Sequence, residues 1–454
     1  MQNNEFLEKE KIGKLLFKLS IPTVIAQLIN MLYNVVDRIF IGHMDEIGDL
    51  ALTGVGVCLP LIMIVSAFAA LISSGGAPRA SIYMGKKDNE TAEKILGNCL
   101  TLQIIISIIL TTVLLIFNKP LLMLFGASDD TIGYACDYMN IYAIGTLFVQ
   151  VTLGMNAYIT AQGYSKIAMF TVLIGAVCNI VLDPILIYGF GMGVKGAALA
   201  TIISQAISSV FVISFLISKK SILKIKFKNL NLNFKIILPC IALGLAPFIM
   251  QASESIIIVC FNSSLQKYGG DIAVGAMTIL SSVMQFAMLP LQGLAQGSQP
   301  ITSYNFGAKN PERVKQTFKL LLIVSLIYST VLYLFIMIFP KSFVSMFTEK
   351  QELITYASKV LRIYCAVLFM FGIQIACQMT FVSIGNATSS IIVAVVRKFV
   401  LLLPLIYIMP AIISPKEIGV YTAEPVADFL AVTFTSILFI FQFKKSIKSI
   451  SMSE

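Results

Sequence analysis

Three polar residues that stand in apolar surroundings are the part of this sequence best suited to chemistry. Asp37 follows a long run of residues without any charge. Asn179 and Asp183 are four positions apart, so both side chains would lie on one face of a helix, and Pro184 follows directly. Because proline has no N–H group, it leaves a nearby backbone carbonyl free to accept another partner. Amide, carboxylate and carbonyl oxygens together are typical ligands of a hard cation, such as Na⁺.

The same carboxylates also suit proton transfer, because burial favours the neutral form of a carboxylic acid. A charged side chain in the middle of a bilayer costs about 2.5–3.5 kcal/mol on insertion scales, which makes such a residue a functional candidate. Two structural alternatives stay open. Asp37 could end a helix and pair with Arg38, and Asp183 could cap a helix end near the membrane surface. Both Na⁺ and H⁺ are candidate ligands of this group.

The apolar character of the whole chain determines its class. It is 57% hydrophobic and 12% charged, and its mean hydropathy is +0.88. A soluble domain carries roughly twice that share of charge, so the lipid bilayer must be the solvent for much of this surface. The net charge of +10 does not indicate nucleic-acid binding, because the lysines stand in short clusters between apolar spans. We expect an all-α integral membrane protein without a nucleic-acid partner.

Apolar stretches of about 20 residues, the length that crosses a bilayer as one helix, occur repeatedly along the chain. The twelve predicted spans are 15–41, 51–78, 95–117, 134–161, 167–190, 196–218, 236–262, 272–305, 320–340, 355–384, 388–413 and 419–443. Lys and Arg are concentrated in the two terminal tails and in alternate loops. This bias predicts that both termini are cytoplasmic.

The two halves of the chain resemble each other at a constant offset. Gly85 is echoed by Gly307 and Gly163 by Gly385, in both cases 222 positions later. Because each half has an even number of spans, the halves are parallel repeats about an axis along the membrane normal. We expect two pseudo-symmetric six-helix bundles around a central cavity. Their predicted limits are an N-lobe at 1–218, a basic cytoplasmic linker at 219–235 and a C-lobe at 236–454.

Several kinds of chemistry are missing from the sequence. It contains no phosphate-binding loop of the Gly-x4-Gly-Lys-Ser/Thr type, so ATP is not the expected energy source. The single His43 cannot build a metal cluster or a catalytic triad. The eight cysteines fall mostly inside apolar spans without metal-ligand spacing, which is typical of packing residues. We therefore expect no enzyme and no cofactor, and an ion gradient as the energy source.

The second half has its own polar residues inside spans. Glu254 lies in the seventh span, and the pair Arg397-Lys398 lies near the middle of the eleventh. Arg397 could neutralise Glu254, both could line a wet cavity, or the basic side chains could snorkel to the interface. Gln285 begins a row of glutamines in the eighth span that shares one helix face. Glu254, Gln285 and Arg397 are candidate residues of a substrate cavity.

Four segments of the chain resemble the MATE (multidrug and toxic compound extrusion) family of transporters. These are Pro22 with 33–37 (YNVVD) in span 1, 179–184 (NIVLDP) in span 5, 193–198 (GVKGAA) leading to Thr201 in span 6, and 304–310 (YNFGAKN) after span 8. The resemblance covers nearly the whole chain. It implies a twelve-helix, two-lobe exporter of bulky, often cationic drugs that works by alternating access in exchange for Na⁺ or H⁺.

The resemblance also implies roles for individual residues. A cation site, which could hold Na⁺, would be formed by Asp37, Asn179, Asp183 and Thr201, and polar positions of the N-lobe cavity match Tyr33, Tyr138 and Asn156. Span 11 lacks the acid of branches that couple through the C-lobe. We expect a monomer in the inner, or plasma, membrane of a bacterial cell, with the bilayer and small-molecule drugs or toxins as partners.

Two other functions are alternatives to drug export. A flippase for lipid-linked precursors, from a related branch of the superfamily, would have a strongly basic central cavity, whereas the bases inside these spans are few. A membrane receptor without transport activity would need a signalling domain outside the bilayer, and the short loops leave no room for one.

Overall fold

The computed structural model describes residues 5–44 and 48–451, and within these ranges the chain is helical, without a β-strand. In the first half the membrane-spanning helices are α1 (Ile12–Gly42), α2 (Gly48–Gly85), α3 (Asn89–Ile116), α4 (Ile132–Ile144 and Thr146–Ala161), α5 (Ser165–Pro184, continued by a π-helical turn Ile185–Gly189) and α6 (Val194–Ile217). The two parts of α4 meet at an angle of 57°.

The second half repeats this order. A continuous helical element, Phe234–Gly307, is broken at Gly270, where φ is +64°, and this divides it into α7 (234–269) and α8 (271–307). The other spans are α9 (Pro311–Ile338), α10 (Gln351–Tyr364 and Phe371–Ser383), α11 (Ala387–Val395, the π-helical segment Val396–Leu402 and Leu403–Ile412) and α12 (Lys416–Ser451). The two parts of α10 are bent by 45°. Short helices lie at Glu5–Lys9, Asn118–Leu124 and Pro340–Val344.

These helices confirm the twelve predicted spans. Nine helices of the described chain are individually long and apolar enough to cross a bilayer, and each bent pair supplies one more span. The division of the longest helix at Gly270 brings the number to twelve. The combination of this positive φ with a ψ of −161° is accessible without strain to glycine alone, so the residue type permits the helix to break there.

The turns that enter α3 and α9 show the repeat at the level of single residues. Lys87 and Lys309 both have a positive φ, of 63° and 55°, and they are 222 positions apart. Each is followed by a residue whose side chain caps the next helix. Asp88 accepts a hydrogen bond from the Thr91 backbone over 3.0 Å, and Asn310 accepts one from Arg313 over 3.1 Å. The two halves therefore use one local design twice.

The segment 219–235, predicted to be the linker, is packed onto the N-lobe. Asn98 of α3 donates a hydrogen bond to the Asn229 carbonyl over 3.1 Å and accepts one from the Asn233 backbone over 2.6 Å. Lys226 pairs with the buried carboxylate of Glu93. These contacts hold the connection between the lobes in one place.

Three large apolar cores organise the molecule. One lies inside the N-lobe around Tyr138 and Val194, and one lies inside the C-lobe around Phe261 and Tyr421. The third joins the lobes on the side of the molecule that carries both chain termini, where α1 and α2 pack against α7 and α8. The two lobes thus share one apolar core on the side of the chain termini.

Backbones approach very closely in this shared core. A Cβ atom at Gly85 would lie 2.0 Å from the carbonyl oxygen of Tyr304, and one at Gly307 would lie 1.9 Å from that of Ile82. The repeat offset of 222 relates Gly85 to Gly307, and it also relates Ile82 to Tyr304. Glycine is needed at both places because any side chain would push α2 and α8 apart.

Candidate cation site and substrate cavity

Asp37 lies near the end of α1 with its carboxylate directed into the N-lobe. The residue is 8% exposed, and its Oδ1 atom has no hydrogen-bond partner among the described residues. Arg38 is exposed instead, and in the described part of the chain it makes no ion pair with Asp37. The geometry therefore disfavours the simple reading of Asp37 as one half of a surface ion pair.

Asn179 and Asp183 lie on the face of α5 that packs against α6. The Asn179 amide donates a hydrogen bond to Oδ1 of Asp183 over 3.2 Å and is 3.5 Å from the hydroxyl of Thr201 on α6. Asp183 is fully buried, so it does not cap a helix end at the membrane surface. The π-helical turn of α5 begins directly after Pro184. Such turns are frequent at functional sites.

Three oxygen atoms of this group have no hydrogen-bond partner in the part of the chain that the structure describes. They are Oδ1 of Asp37, Oδ2 of Asp183 and Oδ1 of Asn179, all buried within the described structure. An unsatisfied buried acceptor costs about 1–3 kcal/mol, and a bound cation or proton would remove this cost. Asp37 is close enough to Asp183 for the two carboxylates to repel each other. The donor set therefore fits a monovalent cation or a proton.

The residues that the structure describes form no transition-metal site in the same region. Among the described residues, no group of three His, Cys, Asp or Glu side chains gathers around one point. Two carboxylates with an amide and a hydroxyl form an all-oxygen ligand set, which suits a hard ion such as Na⁺.

A small cavity of about 30 Å³ adjoins Asn179 and Thr201. That volume holds one or two water molecules. Its walls come from α1, α4, α5 and α6 and include Asn30, Tyr33, Thr152 and Gln205. Tyr33, predicted as a substrate-cavity residue, therefore lies beside the proposed cation ligands, and this cavity is too small for a drug.

The other two N-lobe positions lie at different depths. Tyr138 is buried, stacks on Tyr142 with ring centroids 6.3 Å apart, and lies near both Thr201 and Asp37. Asn156 donates a hydrogen bond to the Ala168 carbonyl over 3.2 Å and thereby connects α4 with α5. Tyr138 is thus close to the cation ligands, whereas Asn156 serves a helix contact.

In the C-lobe the two bases of α11 pair with acids on different helices. Lys398 lies 2.6 Å from Glu254 of α7, and Arg397 donates a hydrogen bond to Asp428 of α12 over 2.9 Å. Arg397 is also 3.8 Å from Glu424. Of the alternatives that the sequence left open, the ion pair to Glu254 is formed by Lys398 and not by Arg397. Arg397 itself is buried over the ring of Phe371.

The remaining cavity candidates differ in exposure. The Glu254 side chain is 47% exposed, so its carboxylate is accessible from outside the C-lobe core. Gln285 on α8 is exposed. Sequence reasoning gave no role to Glu424 and Asp428, although their spacing of four in an apolar span is the same signal that identified Asn179 and Asp183.

Comparison with known proteins identifies the family to which the chain is similar. The family model described as MatE matches residues 22–185 and 246–408, one segment in each lobe. "Multidrug export protein MepA" of Staphylococcus haemolyticus is 26% identical over 428 residues, which is 94% of both chains. The protein of that name from Staphylococcus aureus (strain N315) is 25% identical over 407 residues, 90% of this chain and 89% of its own.

Solved structures show the same fold. An outward-facing multidrug resistance MATE family transporter of the MOP superfamily superposes with a TM-score of 0.90 at 24% identity and covers 99% of each chain. A MOP superfamily transporter from Pyrococcus furiosus gives the same TM-score, identity and coverage. Twelve membrane helices in two bundles and a family match that spans both lobes lead to one conclusion: the chain belongs to the MATE family of membrane transporters.

Proposed function

We propose that this protein is a cation-coupled exporter of bulky organic compounds that works by alternating access. The observation that carries the proposal is the pair of buried carboxylates, Asp37 and Asp183, each with an oxygen that lacks a partner in the described structure. The relatives named as multidrug export proteins support the choice of drugs and toxins as substrates.

The two carboxylates repel each other when both are charged and no cation is bound. Na⁺ or H⁺ would remove this repulsion and draw α1 towards α5, because Asp37 and Asp183 stand on these two helices. Asn179 and Thr201 would supply further oxygen ligands to Na⁺. The ion would thereby stabilise one conformation of the N-lobe. Substrate would bind to the conformation that the N-lobe adopts after the ion has left. Each charge that moves inward gains about 2.3 kcal/mol per 100 mV of membrane potential.

The inter-lobe contacts support an outward-open state. Ser20 donates to the Leu294 carbonyl over 3.2 Å, and Lys87 donates to the Tyr304 hydroxyl over 2.9 Å. Both contacts lie on the side of the chain termini, which the Lys and Arg bias places in the cytoplasm. With that orientation, the cytoplasmic side is closed, and the structure that superposes with a TM-score of 0.90 is described as outward-facing.

The lipid flippase alternative is less well supported by the C-lobe geometry. A flippase cavity would need free basic groups for an anionic headgroup, whereas Arg397 and Lys398 are both paired with acids. The proposal involves no cofactor besides the coupling ion, no nucleic acid and no second protomer. The site of action is a bacterial cell membrane with both termini inside.

The test is ethidium efflux from proteoliposomes under an imposed Na⁺ gradient and, separately, under an imposed pH gradient. We expect efflux to follow one of the gradients and to be lost in Asp37→Asn and in Asp183→Asn. Asp137→Asn is the matched control, because this N-lobe acid pairs with Lys195 at the surface over 3.5 Å. Undiminished efflux in both site variants would reject the mechanism, and folded wild-type protein without efflux under either gradient would favour a narrow-substrate transporter or a lipid flippase.

A further inference from the structure

The charged side chains of the C-lobe stand on the helices that correspond to those of the N-lobe site. Asp37 lies on α1, Asn179 and Asp183 lie on α5, and Thr201 lies on α6. Because the second half repeats the first, the corresponding helices are α7, α11 and α12. These carry the C-lobe acids and bases: Glu254 on α7, Arg397 and Lys398 on α11, Glu424 and Asp428 on α12.

The correspondence extends to approximate positions along the helices. At the repeat offset of 222, Thr201 corresponds to Ala423, which directly precedes Glu424. Asn179 corresponds to Leu401, which lies about one helical turn after Arg397 in the π-helical segment of α11. Asp183 corresponds to Leu405, about two turns beyond Arg397, so the two polar groups lie on corresponding helices within about two turns of each other and not at equivalent positions.

The N-lobe and C-lobe groups differ in whether a base pairs with their carboxylates. In the N-lobe, oxygens of Asp37 and Asp183 are unpartnered, and among the described residues no base forms an ion pair with either carboxylate. In the C-lobe, the guanidinium of Arg397 lies 2.9 Å from Asp428 and 3.8 Å from Glu424. All three of these C-lobe side chains are less than one tenth exposed.

Once an ion binds to the N-lobe site, the net charge of that site equals the net charge of the group formed by Arg397, Glu424 and Asp428. Two carboxylates and one monovalent cation would make up the loaded N-lobe site, and two carboxylates and one guanidinium make up the C-lobe group. The guanidinium keeps its charge at any physiological pH and presents five N–H donors in a rigid fork. The second base, Lys398, similarly neutralises Glu254 over 2.6 Å.

We propose that Arg397 is a built-in cation that takes the place of the coupling ion in the C-lobe. The C-lobe would then keep one charge state throughout the transport cycle, and coupling ions would bind only at the N-lobe. This inference rests on the proposed function in one respect, namely that the N-lobe group is the ion site. Adjacent residues on a helix point in different directions, which is why Arg397 reaches α12 while Lys398 reaches α7.

The experiment measures ion binding to purified, detergent-solubilised protein with the N-lobe site removed by Asp37→Asn and Asp183→Asn. Binding of ²²Na⁺ reports Na⁺, and the infrared C=O stretch of protonated carboxyl groups reports H⁺. We expect the double variant to bind no Na⁺ and to show no pH-dependent carboxyl band that depends on Glu424 or Asp428. Addition of Arg397→Gln should create Na⁺ binding or a carboxyl band, which Glu424→Gln with Asp428→Asn should remove.

Arg397→Lys is the matched control, because it keeps a cation at this place and should create neither signal. The inference is overturned if the double variant with Arg397 intact already binds an ion that Glu424→Gln with Asp428→Asn abolishes. This arm remains decisive even if Arg397→Gln does not fold. A folded Arg397→Gln variant with neither signal would also contradict the inference. Wild-type protein that binds no ion would instead refute the N-lobe site, while the Arg397 variants would still decide the role of the C-lobe.

Discussion

The Asn179 amide donates a hydrogen bond to one oxygen of Asp183 over 3.2 Å and leaves the other oxygen of Asp183 without a partner in the described structure. The amide thereby orients the carboxylate while its own carbonyl oxygen also stays unpaired. Two acceptors on one helix face are thus held ready for a ligand between α5 and α6. Such buried acceptors are rare in proteins unless a ligand or a proton satisfies them.

Among the candidate ligands, the hydroxyl of Thr201 can be removed with the smallest change in side-chain shape, because valine has nearly the same shape as threonine. Thr201→Val should weaken Na⁺ binding about tenfold, because one oxygen ligand or hydrogen bond contributes about 1–1.5 kcal/mol. Thr201→Ser keeps the oxygen and should bind nearly as the wild type does. The measurement is ²²Na⁺ binding or the Na⁺ dependence of efflux. Equal affinities in the Val and Ser variants would remove Thr201 from the site.

Gly307 allows the close approach of α8 to α2. A Cβ at this position would lie 1.9 Å from the Ile82 carbonyl oxygen, so Gly307→Ala should force the lobes apart on the side of the termini. We expect a cost of about 1–3 kcal/mol in unfolding free energy, as for an overpacked core. Faster maleimide labelling of Cys240, which is buried in the contact between α2 and α7, would report the opening.

Gly56→Ala is the matched control for this change. Gly56 lies on α2, and a Cβ there would meet nothing within 4 Å. The labelling would be carried out with Cys240 as the remaining cysteine. Identical labelling rates in the Gly56 and Gly307 variants would show that the close approach does not hold the lobes together.

Arg313 connects the N-terminal segment to the C-lobe. Its guanidinium donates to the carbonyl oxygens of Leu7 over 3.0 Å and Glu10 over 2.8 Å, and to the Asn305 side chain over 3.1 Å. Hydrogen bonds from a charged donor contribute about 1.5–3 kcal/mol, so Arg313→Ala should release the segment at least tenfold more often. Limited trypsin digestion at the exposed Lys11 should accelerate accordingly.

The control for the digestion is Lys315→Ala on the same helix. Lys315 pairs with Glu312 at the surface over 2.9 Å and does not touch the N-terminal segment in the described structure. Its loss should leave the digestion rate unchanged. If Arg313→Ala were digested at the rate of the Lys315 variant, the contact would not secure the N-terminal segment.

The Asp88 cap should make the stability of the α2–α3 turn depend on pH. Hydrogen bonds from Thr91 lower the pKa of the Asp88 carboxyl below its ordinary value. Because the pKa is lower in the folded state, this stabilisation is present above the ordinary pKa and is lost as the pH falls through the lowered one. Asp88→Ala should cost about 1 kcal/mol at neutral pH and much less in acid.

Thermal unfolding in detergent between about pH 3 and 7 measures this difference. Asp88→Asn is the control, because the neutral amide already caps the equivalent helix at Asn310, over 3.1 Å. It should keep most of the stability and lose the pH dependence. A constant difference between wild type and Asp88→Ala across the whole range would contradict the assignment.

The sequence alone was sufficient for the twelve spans, for the repeat and for placing Asn179 and Asp183 on one helix face. The bilayer explains this success, since each helix must satisfy its own backbone hydrogen bonds and the lipid imposes a local length and polarity on every span. The candidate ligands Asn179 and Asp183 were found for the same reason, because their four-residue spacing acts within a single helix.

The tertiary structure decided which residues on different helices meet. Lys398 and Glu254 are 144 positions apart, and no local pattern indicates that Lys398, and not Arg397, pairs with Glu254. The choice follows from how α7, α11 and α12 pack and from the π-helical segment that sets the direction of both bases. The bends of α4 and α10 likewise arise from long-range packing. So does the close approach of α2 to α8 at Gly85 and Gly307, which depends on the shape of both helices.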